Sequence, residues 1–235
     1  MKRSLSTALA LLIVVYASSA AAEPDGRLIA PTDRAIRVAF VMTEGATMMD
    51  FAGPWEVFQD VMMPERGDSM MRQMPFELYT VGISRDPVHT SATPSHAGIA
   101  IVPDYTFADA PVADIVVVGA QAGGPAVEDW LRKVHGQGIT VMSVCVGAFI
   151  LGKAGLLDDK PATTHPAYYK RFSEQNPKAK LVRGVRYVQS DAVTYTSGGV
   201  SAGVDLALHI VAEYLGAPVA QRTADYMQYQ GTGWK

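Results

Sequence analysis

A single cysteine, Cys145, stands in a chain of 235 residues, so no internal disulfide can staple it. An excess of positive charge is missing too: 20 basic residues face 23 acidic ones, a net charge of −3. That balance leaves no basic patch for nucleic acid, and no segment offers itself as a helix-turn-helix module, so no nucleic-acid partner is expected. The five histidines, His89, His96, His135, His165 and His209, show no close ligand spacing, and no metal site is expected. Neither GxGxxG nor a GK[ST] phosphate loop occurs, which removes support for a nucleotide, and no cofactor is expected. Beyond residue 22 no apolar run reaches the roughly 18 residues of a membrane span.

The N-terminus does have a pattern. Lys2 and Arg3 precede an apolar stretch from Ala8 to Val15 and then small residues up to Ala22, the layout of a secretory signal peptide over residues 1–22. The expectation is export across a bacterial inner membrane to the periplasm, with no stable membrane insertion. Residues 23–34 read as a flexible lead-in, 35–230 as one domain and 231–235 as a C-terminal tail. A mature chain of roughly 210 residues is enough for one substantial core.

Strand and helix signals alternate along that domain. Ala35 to Met42, Phe76 to Val81, Ile99 to Val102, the branched run "ADIVVVG" from Ala113, Gly138 to Ser143, Arg186 to Gln189 and Val193 to Thr196 read as strands. Helices are expected at Trp55 to Met62, with Pro54 in the first turn, and then at 126–135, 146–154, 167–172, 201–214 and 218–228. The fold class is α/β: a doubly wound, mostly parallel sheet with helices on both faces, a flavodoxin-like three-layer sandwich.

Within this frame "VMSVCVGAF" puts Cys145 between a strand and a helix, the layout of a nucleophile elbow, with Ser143 where such elbows carry a glycine. A thiol at a helix start meets unpaired amides, and its pKa is expected to fall. The plain alternative is a buried packing cysteine. Asp50, among Met48, Met49 and Phe51 in a strand-to-helix connection, is a candidate proton carrier with a raised pKa, or else an Asx turn. Gly119 and Ala120 end the central strand beside the elbow, where amides could hold developing negative charge; steric need alone also explains such glycines. His165 in "ATTHPAYY" is a pocket candidate or a simple cap. Five methionines, Met62, Met63, Met70, Met71 and Met74, could offer thioethers to Cu(I), but more simply pack an irregular connection or a subunit contact.

Three stretches, "MMDFAGPWEVF", "SVCVGAFILGKAGLLDDKPATTHPAYY" and "DAVTYTSGGVSAGVDLALHIVAEYLG", resemble the DJ-1/PfpI superfamily. The likeness is to its isonitrile hydratase branch and to the amidotransferase-like domains of AraC-type regulators, and it spans nearly the whole mature chain. It implies that Cys145 is the nucleophile and that Asp50, in register through D-x-x-G-P, moves protons beside it. In the hydratase branch the thiolate attacks the terminal isonitrile carbon, and water resolves a thioimidate to an N-substituted formamide. The resemblance therefore implies a cysteine-dependent enzyme acting on a small molecule, a hydratase (lyase) or hydrolase, and a homodimer. A non-catalytic ligand-binding or redox-sensing domain of the same fold is the alternative, with other thiol-dependent hydrolysis or reactive-carbonyl chemistry as a third. Two departures accompany it. Val146 replaces a threonine or histidine after the cysteine, and Gly119-Ala120-Gln121 replaces the family's PGG.

Overall fold

The computed structural model describes residues 28–91 and 96–235; the expected signal peptide lies outside the described residues. Seven strands build the main sheet: β1 (Ile36–Val41), β2 (Phe76–Gly82), β3 (Tyr105–Thr106), β4 (Ile115–Val118), β5 (Thr140–Ser143), β6 (Tyr187–Gln189) and β7 (Thr194–Ser197). Their spatial order is β6-β7-β5-β4-β1-β2-β3, and every pairing is parallel except β6 with β7. Six helices cover it: α1 (Met48–Gln59), α2 (Pro125–Gly136), α3 (Gly147–Lys153), α4 (Tyr169–Gln175), α5 (Ala202–Leu215) and α6 (Ala217–Tyr226). This is the expected mixed α/β sandwich with a mostly parallel sheet.

The reason for two-sided burial is visible in β1. Val38, Phe40 and Met42 enter a core shared with α1, α5 and α6, while Ala39 and Val41 enter the opposite core shared with α2, α3 and α4. Both sets are buried, so the strand reads as a continuous apolar run and not as an alternation.

Three expectations are corrected. The first helix starts at Met48 and carries Pro54 in its interior, so Asp50 sits in its first turn and not in a connecting loop. Tertiary packing overrides the proline rule: Gly53 and Pro54 lie against Val204 and Gly203 of α5, close enough that a Cβ on Gly53 would be 3.1 Å from Val204 Cγ2. Second, the short strand expected at Ile99 to Val102 is present as Ala100–Ile101, but it pairs antiparallel with Val88–His89 in a small separate sheet, and the edge of the main sheet is Tyr105–Thr106. Third, the C-terminal tail expected at 231–235 packs back on the domain. Trp234 is buried in the first core, its indole N–H donating to the Gly231 carbonyl at 3.1 Å.

Met70 and Met71 are exposed on a single helical turn, so they do not serve as core packing. Among the described residues no helix is long and apolar enough to cross a membrane, and no group of three or more His, Cys, Asp or Glu side chains is placed to hold a metal.

The sheet's far end is tied by Asp191, whose carboxylate meets the Lys160 ammonium at 2.5 Å and accepts from the Val193 amide at 3.0 Å. Burial opposes its ionisation, but Lys160, the Val193 amide and Thr194 outweigh it and bring its pKa to about 2. A depressed carboxylate stabilises the fold above its unfolded pKa and loses that contribution as pH falls through the folded value. Asp191→Asn should cost about 2 kcal/mol at pH 7, shrinking toward nothing between pH ~4 and ~2. Urea unfolding of both proteins at several pH values reads this directly; a pH-independent difference would contradict it.

Candidate active site

The chain leaves β1 in one direction, to β2 and β3, and returns to β4, β5 and β7 on the other side of β1. The carboxyl ends of β1 and β4 therefore flank a topological switch point, where parallel sheets open a crevice. Cys145, Asp50 and Gly119 all come to this point, although β2, β3 and the segments joining them separate Asp50 from the other two in sequence.

Cys145 occupies the turn from β5 to α3 with φ of 60°, the left-handed region that few non-glycine residues enter. Its backbone is held on both sides. The Cys145 amide donates to the Gly198 carbonyl at 2.9 Å, and the Cys145 carbonyl accepts from the Thr164 hydroxyl at 2.8 Å. Just before it, the Val144 amide donates to Val118 at 2.9 Å, so the elbow is welded to β4. Cys145 as a whole residue is buried, 8% exposed.

Asp50 is fully buried beside it. One carboxylate oxygen, Oδ2, accepts from the Ala120 amide at 3.0 Å, while Oδ1 has no partner within hydrogen-bond limits. Gly119 explains how the carboxylate fits, since a Cβ there would stand 2.9 Å from the Asp50 Cβ. This revises the role expected of Gly119 and Ala120. The glycine makes room for the acid, and the Ala120 amide is committed to the Asp50 carboxylate instead of facing a reacting group.

The electrostatics also differ from the sequence expectation for the thiol. Burial and the negative charge of Asp50 push the Cys145 pKa up to about 12, with the Val146 and Val200 amides opposing them only in part. Helix α3 has only two turns, and its field is outweighed by a buried carboxylate. Asp50 behaves as the sequence predicts: burial raises it, against the Ala120 and Val200 amides, the Cys145 thiol and, more weakly, His165. A raised carboxyl next to a raised thiol is a pair that holds one proton between two bases.

This arrangement has a direct chemical test. Alkylation of Cys145 by iodoacetamide, followed by mass spectrometry, should accelerate only far into the alkaline range. Asp50→Asn removes the opposing charge and should move the midpoint down, while burial keeps it above that of an ordinary thiol. A wild-type midpoint below neutrality would contradict the geometry.

His165 lies at the rim. Its Nδ1 accepts from the Ala167 amide at 3.2 Å as a cap, which assigns the proton of a neutral ring to Nε2. The ring rests on Gly199, whose missing side chain it replaces. Sequence reasoning missed the loop from Gly198 to Val200. Val200 has φ of 52°, a strained value for a β-branched residue, and its amide reaches the pair of Asp50 and Cys145. The adjacent glycines before a long apolar helix were the available signal; a valine in left-handed geometry leaves none. Gln121, the departure that adds a bulky amide, commits that amide to the backbone at the end of β1. Its Oε1 accepts from the Thr43 amide at 2.8 Å and its Nε2 donates to the Val41 carbonyl at 2.9 Å, latching the turn to β1.

An open parallel sheet with a cysteine on a left-handed elbow and a buried acid at the switch point defines an α/β protein of the cysteine-elbow class. The chain belongs to the DJ-1/PfpI family, whose model matches residues 36–213. It is 32% identical over 201 residues to an isonitrile hydratase of Pseudomonas putida, covering 83% of this chain and 79% of that one. The HTH-type transcriptional regulator CdhR of Pseudomonas aeruginosa is 32% identical over 101 residues, which cover 43% of this chain and 30% of the regulator. Among solved structures, a ThiJ/PfpI family protein from Pseudomonas syringae superimposes with a TM-score of 0.67 at 26% identity, covering 88% of this chain and 79% of that one. Relatives named as HTH-type transcriptional regulators qualify the expectation of no nucleic-acid partner, which rests here on the charge balance and the lack of a helix-turn-helix segment.

Proposed function

We propose that this protein is a cysteine-dependent enzyme of small molecules and that it hydrates isonitriles to N-substituted formamides. The observation that carries the reading is the buried Asp50 carboxylate, with one unpartnered oxygen, beside the thiol on its strained elbow. The similarity to the hydratase over most of both chains supports the choice of substrate.

The steps follow from where the proton sits. As an isonitrile enters, Asp50 takes the thiol proton and sulfur adds to the terminal carbon, forming the C–S bond. The same proton passes from Asp50 to that carbon, giving a thioimidate, R–N=CH–S. Water then adds to the carbon with Asp50 as base, and the proton returned to nitrogen accompanies cleavage of the C–S bond. Collapse of the R–NH–CH(OH)–S adduct returns the hydroxyl proton to sulfur by way of Asp50, so the products are R–NH–CHO and the starting thiol–carboxylate pair; one water is consumed and nothing is oxidised. A high resting thiol pKa suits this order, because the thiolate forms only when substrate arrives to receive it.

Val146 removes the hydroxyl or imidazole that the resemblance places there, and this favours a second reading, a ligand-binding or redox-responsive domain without turnover. Incubation of the purified protein with phenyl isocyanide, with formamide followed by chromatography, separates the two. Product above the uncatalysed rate supports the hydratase; none, with the thiol shown reduced and intact, transfers the weight to binding. The layout of residues 1–22 supports periplasmic placement as part of the same proposal, and a homodimer is the assembly it expects.

A further inference from the structure

Next to the elbow, a recess of about 250 Å³ opens between α3, the turn before α4 and the loop after β4. Its wall is apolar where it starts, at Val146, Phe149 and Ile150, and cationic or hydroxylated where it ends, at Lys153, Tyr168 and Arg171. No aspartate or glutamate lines it, in a chain where acids outnumber bases by 23 to 20. Glu128 stands by the rim, its Oε1 3.9 Å from where a Cβ on Gly123 would be. Glu174, on α4 itself, is turned to Lys170 at 3.9 Å.

Arg171 is oriented without being neutralised. Arg171 lies over the Phe149 ring, 5.8 Å from its centroid, a contact that orients a guanidinium but leaves its N–H groups open. Among the described residues Lys153 and Arg171 make no ion pair, and the Tyr168 hydroxyl makes no hydrogen bond. The recess is joined to the reacting centre twice. Val146 follows Cys145 directly, and the Tyr168 ring meets the His165 ring edge-on at 5.7 Å.

Resting on the hydratase reading, we propose that this recess selects the substrate, and that the substrate is a carboxylate-bearing isonitrile whose apolar body lies on Val146, Phe149 and Ile150. The carboxylate is taken by Lys153 and Arg171, with Tyr168 as an added donor. A guanidinium offers a carboxylate two parallel N–H bonds, and a flexible ammonium adds a point charge. The volume suits one aromatic ring or a short chain with one acid group and excludes a long peptide. In this arrangement Val146 is an apolar wall of the specificity recess, which gives the departure at that position a use.

The test compares 4-isocyanobenzoate with phenyl isocyanide on the wild type, Lys153→Met, Arg171→Met and the double variant. These side chains are exposed, so folding is preserved. The expected result is a kcat/KM at least about tenfold higher for the acid, with that preference reduced about threefold by each single change and abolished in the double variant. Equal turnover of both compounds, or preference for the neutral one, overturns the anion recess while leaving the hydratase reading intact. If neither compound is turned over, the hydratase reading fails and calorimetry with benzoate decides the recess separately. Benzoate binding that the double variant loses then retains it, and no binding to wild type overturns it.

Discussion

Replacing Cys145 by alanine should abolish formamide production, lowering kcat by about three orders of magnitude or more. The argument is one of bond making: the thioimidate needs a nucleophile at the end of β5, and among the described residues no other thiol exists to supply it. The methyl side chain of alanine keeps the elbow, because the turn is held by backbone and by Thr164 and not by the thiol. Stability should therefore change by no more than about 1.5 kcal/mol, so circular dichroism and urea unfolding separate lost chemistry from lost fold. Retained turnover in this variant would remove the nucleophile from the mechanism altogether.

Asp50→Asn is expected to lower kcat by about 10² to 10⁴-fold, the range for loss of a positioned general acid and base. The replacement keeps size and can still accept from Ala120, so the loss is of proton transfer and not of architecture. The sign of its two effects is opposite, and this makes the variant diagnostic. Without the carboxylate the thiol ionises more readily, yet the proton that must reach the isonitrile carbon has no carrier. Faster alkylation together with slower turnover is the expected pair; slow alkylation with full turnover would place the proton carrier elsewhere. Removal of a buried charge with a raised pKa also relieves the folded state at neutral pH, since that stability is present below the unfolded value and lost as pH rises.

Much of the frame was legible because its signals are local. The branched run at Ile115–Val118 and the apolar stretch ending at Ser143 announce buried parallel strands by composition alone. The α/β order of the chain then fixes which strand ends face one crevice, and so places Cys145 on a turn at one of them. Long-range relations were not legible in the same way. Nothing in the neighbours of Gly119 says that its missing side chain accommodates Asp50, and nothing in "SGGVSAG" says that Val200 is bent back to the thiol. The thiol pKa was misjudged for the same reason. Helix start and cysteine are adjacent in sequence, whereas the opposing carboxylate and the burial that dominate come from tertiary structure. Pro54 shows the limit of a local rule, overridden by the close contact of α1 with α5.

The elbow's attachments have a kinetic meaning. Cys145 is tied to Gly198 on one side and to Thr164 on the other, its acid arrives from the first helix, and a strand that comes late in the chain completes the sheet beside it. Contacts this distant along the chain close late and slowly during folding. A thiol left open to alkylation until the last of them forms is a clock inside the molecule. Pulsed labelling of the lone cysteine during refolding would time assembly of the whole parallel sheet from a single atom.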